Sequence, residues 1–146
     1  LSFATAWGIG LSSDSINYIH AARNLLAGNS LSLVTVSGQI RQLTHYPPLY
    51  PMLLAGLGVL GMEPVQGAQL IGVFFFGANV LLVGLIARAS VRESLWIAPL
   101  CSFMMLTSIK MIKIHSMALT EPVFIFLSLL GLFLLFTLPG LSLLAD

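Results

Sequence analysis

Ser12-Ser13-Asp14-Ser15-Ile16-Asn17-Tyr18 and, about 30 residues on, His45-Tyr46-Pro47-Pro48-Leu49-Tyr50-Pro51 are the polar stretches from which the fold is read. Around them the chain is nearly all apolar. It is 58% hydrophobic and 8% charged, with mean hydropathy +1.00. A soluble domain carries roughly 25% charged residues. So few charges cannot coat a water-exposed surface, which makes lipid the expected solvent. The net charge of +1 argues against a nucleic-acid partner. Cys101 is the only cysteine, so an intrachain disulfide and a metal-thiolate cluster are both excluded. The expected class is an all-α, polytopic membrane protein at the plasma or inner membrane.

Outward from Asp14, apolar residues at spacings of three and four (Ile16, Ile19, Ala22, Leu26, with Arg23) predict an amphipathic helix over 14–27. Ser12 or Ser13 can cap it, Asp14 suits its positive end, and Gly28 and Asn29 stop it. Residues 31–44 change period and predict a small β-hairpin with a Ser37-Gly38 turn. Such edges need water or protein, so the hairpin belongs outside the hydrocarbon. Pro47-Pro48 opens an apolar run, Leu49–Met62, that as a helix would be about 22 Å long. That is short of the ~30 Å bilayer core.

The remaining segments organise the chain. Residues 1–11 read as the end of a first membrane helix, and 12–66 as an extracytoplasmic loop with juxtamembrane helices. Residues 67–87, 95–114 and 122–138 read as spans, with Pro99 a candidate kink in the second. The first residue is Leu1 and the last residues follow a hydrophobic run, so the chain reads as a piece of a longer membrane protein. Arg88-Ala89-Ser90-Val91-Arg92-Glu93 places its loop in the cytoplasm by the positive-inside rule. The Asp14 region, the Pro-Pro corner and Glu121 are then expected on the outer side.

Chemistry-bearing residues are few. Asp14 reads either as a first-turn carboxylate or as a general base at a membrane surface. Glu121, between Thr120 and Pro122, offers the same two readings. Lys110, Lys113 and His115 either reach lipid headgroups or bind a phosphate. His45, Tyr46 and Tyr18 either form an interfacial aromatic belt or line a polar site beside the corner. Two carboxylates near one site could also hold a divalent cation. No zinc, P-loop, dinucleotide or triad signature is present, and the three histidines are too dispersed for a metal site.

The order of these elements resembles the N-terminal part of GT-C membrane glycosyltransferases, closest to the family 39 type. That type includes protein O-mannosyltransferases and aminoarabinose transferases. The likeness rests on Asp14-x-x-x-Tyr18-x-x-Ala21-Ala22 running to Gly28, then Tyr46-Pro47-Pro48-Leu49, then Leu119-Thr120-Glu121-Pro122. It implies a transmembrane bundle with an extracytoplasmic active site. Asp14 would be the catalytic base and Glu121 the later acid, with a polyprenyl-phosphate sugar as donor and a protein, lipid or glycan as acceptor. Two positions depart from the pattern. Ser15 stands where many members have a second acid, and Tyr46 where some have a phosphate-holding lysine. Phosphate binding is therefore expected at Lys110, Lys113 or His45, or at residues of the longer protein beyond this piece. The alternative is a transporter or flippase-like module for a polar or lipid-linked solute.

Overall fold

The computed structural model describes residues 9–34, 39–44, 46–91 and 93–138. His45, the Ser37-Gly38 turn and most of the first predicted span lie outside the described residues. The order of elements is α1 (Ser13–Leu26), β1 (Ser32–Val34), β2 (Ile40–Gln42), α2 (Leu49–Val59), α3 (Pro64–Ser90), α4 (Ile97–Thr107), α5 (Ile109–His115) and α6 (Glu121–Thr137). The protein is mostly helical with one small antiparallel sheet. It divides into two compact units, Leu1–Val73 with His115–Thr120, and Phe74–Ile114 with Glu121–Asp146.

In the first unit, Ser12 caps α1: its Oγ accepts the Ser15 N–H at 3.2 Å, and Gly28 ends the helix at φ 81°. The buried face of α1 differs from the one the spacing predicts. Ser15, Tyr18, Ile19, Ala21 and Ala22 are buried, whereas Ile16, Arg23 and Leu26 are exposed. The reason is packing. Alanines at 21 and 22 let α1 lie close to α2, and Tyr18 meets aromatic partners that period counting does not register. The hairpin forms as the change of period predicts, with Leu33 opposite Arg41 and Ser32 opposite Gln42. Asn24 on α1 ties down its first strand by donating to the Ser32 carbonyl at 2.7 Å.

Pro48 precedes α2 and Pro64 begins α3, both where a missing N–H costs nothing. Glu63 caps α3 through the Val65 N–H at 2.6 Å and accepts from both Nε and Nη2 of Arg23. Burial pushes its carboxyl up, but the Arg23 guanidinium and the helix N–H groups outweigh this and hold it below its ordinary value. Residues 115–120 also belong here. Gly10 bridges Met117 in parallel, with the Gly10 N–H on the Ser116 carbonyl at 2.9 Å. The His115 carbonyl faces Gly72 so closely that a side chain at 72 would collide with it.

In the second unit, Asn79 in the apolar middle of α3 donates to the Pro122 carbonyl at 3.1 Å. Ser102 on α4 donates to the Val80 carbonyl at 3.1 Å, and Phe75 meets Phe126 edge-on. The predicted 95–114 span is broken, and not at Pro99. That proline sits in the first turn of α4, where proline is tolerated. The break is Ser108, extended at ψ 110°, and α4 and α5 bend there by 63°. The Met111 N–H at 3.4 Å from Ser108 Oγ restarts the helix.

Among the described residues, α3 is the one unbroken helix long and apolar enough to cross a membrane. The bent α4–α5 pair passes the same test only if taken as a single span. At 27 residues α3 is about 40 Å long. The 17 residues of α6 and 11 of α2 fall short.

The Gly72 contact is with rigid backbone. Gly72→Ala should therefore lower stability by about 1–3 kcal/mol through overpacking. Gly56→Ala, in open space on α2, should raise it by about 0.5–1 kcal/mol through helix propensity. Thermal unfolding followed by circular dichroism in detergent measures both, and equal responses would refute the close approach.

Candidate functional site

Asp14 lies one helical turn before Tyr18 on α1, and Tyr46 one residue before the Pro-Pro corner. The fold brings them together. Tyr46 donates its hydroxyl to Asp14 Oδ1 at 3.1 Å, and Asn17 Nδ2 donates to Tyr46 Oη at 2.9 Å. The direction of this chain is fixed by what each group can do. A phenol has one hydrogen and a carboxylate only accepts, so the Tyr46 hydrogen goes to Asp14 and Asn17 must present its amide N–H. Asp14 is exposed, with one oxygen engaged by the phenol.

Tyr18 is the support. It is 4% exposed, and its ring meets those of Tyr46 and Tyr50 edge-on, each at 5.4 Å between centroids. Such pairs contribute about 0.5–1.5 kcal/mol beyond area burial. Its place is packing beneath the site. Beside Tyr46 lies a pocket of about 260 Å³ lined by Leu33, Arg41, Gln42, Thr44 and Tyr46.

The other predicted residues lie on other elements. Lys110 and Lys113 are exposed on α5, in the second unit. Glu121 is exposed in the first turn of α6, where a carboxylate meets the positive helix end. His115 is buried at 1% exposure, in the first unit with Asp14 and Tyr46. Among the described residues no three His, Cys, Asp or Glu gather as metal ligands. Asp14 with a phenol and an amide is a poor donor set for a divalent cation, which takes several oxygens.

Asn17 and Arg41 were missed. Asn17 was detectable at i+3 from Asp14 on one helix face. Arg41 is the only Lys or Arg between Arg23 and Arg88. Comparison of the chain with protein-family models, with curated proteins and with solved structures finds no match.

The Asn17–Tyr46 bond is testable by a double-mutant cycle. Asn17→Ala and Tyr46→Phe, the latter keeping the ring against Tyr18, should show a coupling of about 0.5–1.5 kcal/mol in unfolding free energy. Strict additivity would remove the bond.

Proposed function

We propose that this chain belongs to a multi-pass membrane glycosyltransferase resembling the GT-C type. It would move a sugar from a polyprenyl-phosphate donor to a protein, lipid or glycan acceptor on the extracytoplasmic face. The observation that carries the reading is the exposed Asp14 carboxylate held on one oxygen by Tyr46, with Asn17 behind it. A base at a membrane surface needs a fixed orientation and an open acceptor, and a carboxylate engaged on one side meets both needs.

Lipid as solvent is supported by the apolar side chains left exposed: Phe74 at 63%, Phe103 at 61%, Ile109 at 83% and Phe124 at 70%. None of the residues of α4 is buried. Large apolar side chains left exposed in this number suit contact with membrane or with other protein. Together with the arginine loop 88–93, this supports several crossings with Asp14 outside.

In the proposed step Asp14 accepts the proton of the acceptor hydroxyl as its oxygen bonds to the anomeric carbon. The bond from that carbon to the phosphate oxygen breaks, and the phosphate departs with the electron pair. The configuration inverts, and no covalent enzyme intermediate forms. No step uses a metal. Glu121 is the second acid that the resemblance implies.

A second reading is a transporter or flippase-like module, favoured by the 63° break at Ser108, since discontinuous helices are a transporter device. The two readings differ in outcome. Asp14→Asn should cut sugar transfer from a polyprenyl-phosphate donor by about 10²-fold or more in reconstituted vesicles. Wild-type transfer by a folded Asp14→Asn protein would sink the base role. Orientation is checked separately, with single cysteines at 13, 90 and 120 in a Cys101→Ser background. An impermeant thiol reagent on intact cells should label 13 and 120 but not 90. Labelling at 13 and 90 but not 120 would favour the transporter.

A further inference from the structure

The break at Ser108 does more than bend a helix. Residues from both sides of it line one pocket of about 380 Å³: Met104 and Met105 on α4, and Met111 on α5. Ser108 itself, Val83 of α3 and Ile125 of α6 complete the wall, and all of these belong to the second unit. The volume falls within the ~300–1,000 Å³ range of small-molecule clefts. The chemistry of the wall is narrow. Its one hydroxyl, Ser108 Oγ, is engaged by the Met111 N–H at 3.4 Å, and no charged side chain lines it. Three of the six methionines in the chain gather there. Unbranched, polarisable thioethers adapt to an irregular apolar occupant. Phe103, Ile109 and Phe124 are exposed on the same helices, α4, α5 and α6, so the walls carry an apolar outer surface as well.

A cation stands beside this apolar recess. Lys110 falls between Ser108 and Met111, two lining residues, so its backbone is at the rim. By helical geometry its side chain leaves α5 about 100° around from Met111, beside the recess rather than into it. Lys113, three residues on, shares the face of Lys110. Both lysines are exposed, and neither meets a carboxylate among the described residues. In the proposed topology the arginine loop 88–93 takes the cytoplasmic side, so charge bias gives no reason for two lysines at the far end of the next span. An apolar recess with a cation at its rim complements a fatty chain that carries a negative head group. Head and chain are separate parts of a lipid, so the cation need not enter the recess.

We propose that the α4–α5 break is a binding site for an anionic phospholipid of the surrounding bilayer. One acyl chain lies in the methionine-lined recess, and the head-group phosphate meets Lys110, with Lys113 adding to the positive field. The lipid is a resident of the fold and not a reactant. Bound there, it braces α5 against α4 across the break. The site requires the chain to sit in a membrane but does not require sugar transfer, since Asp14 and Tyr46 belong to the first unit.

Native mass spectrometry of the whole chain in detergent reads the affinities, with phosphatidylglycerol and phosphatidylcholine of the same acyl chains as probes. Phosphatidylglycerol should bind about fivefold more tightly or better, the effect of one cation near a lipid phosphate. Lys110→Gln should bring it down to the phosphatidylcholine level. Arg41→Gln, which removes an exposed cation from the first unit, should bind like wild type. Met105→Trp, which fills the recess, should lose both lipids. Lys110 is exposed, and unchanged circular dichroism of the variants shows that they fold. Equal affinity of the wild type for the two lipids overturns the proposal, as does an equal loss in Arg41→Gln and Lys110→Gln, which would make the attraction one of net charge alone. Wild-type binding by a folded Met105→Trp protein puts the lipid outside the recess and overturns it too.

Discussion

Tyr18 is buried with the rings of Tyr46 and Tyr50 edge-on to it, and the first unit is arranged around that contact. Two of the three rings, Tyr46 and Tyr50, bracket the Pro-Pro corner, so burying Tyr18 anchors the corner to α1. The neighbouring alanines, 21 and 22, have no exposed surface and suit a close approach of α2, on which Leu54 is also fully buried. Because Asp14 is one turn before Tyr18, fixing the ring also fixes where the carboxylate emerges. Tyr46 then has one face in the apolar stack and its hydroxyl at the polar edge. This division suits an aromatic residue with a polar tip at a boundary between apolar and wet surroundings.

Polar groups elsewhere are few, and several of them tie elements together. Arg23 and Glu63 join the end of α1 to the start of α3, while Asn24 joins α1 to the hairpin. Asn79 and Ser102 each satisfy a backbone carbonyl of a neighbouring helix segment within the second unit. In an apolar setting an unsatisfied polar group is costly. The polar residues that survive in such a chain are therefore informative, and Asp14, exposed and held on one oxygen by Tyr46, is where chemistry is best sought.

Lys110 and Lys113 attract attention in sequence because they are cations near a span. They share a short helix, α5, whose last residue, His115, is buried. The hairpin supplies a cation in the unit that holds Asp14, and its register places an apolar residue beneath it.

Much of the architecture was legible in the chain itself. Apolar runs, proline position and the serine cap of α1 mark α1, α2 and α3, because these signals act within a few residues of where they stand. The change of period at 31–44 announces the hairpin for the same reason. Helix faces were less legible: Ile16 and Leu26 look like core residues by spacing, yet the fold buries Ser15 and Tyr18 instead. The break at Ser108 was masked by Pro99, a stronger local signal in a position where it breaks nothing. Asp14 was visible as a lone acid, but its partners were not. The Tyr46 hydroxyl is 32 residues away in sequence and the Asn17–Tyr46 bond spans 29. The return of residues 115–120 to Gly10 and Gly72 was equally invisible. Sequence determines what the backbone does locally, through sterics, capping and hydrophobic period. Which side chains meet across tens of residues is decided by the packing of whole helices, which only the tertiary structure contains.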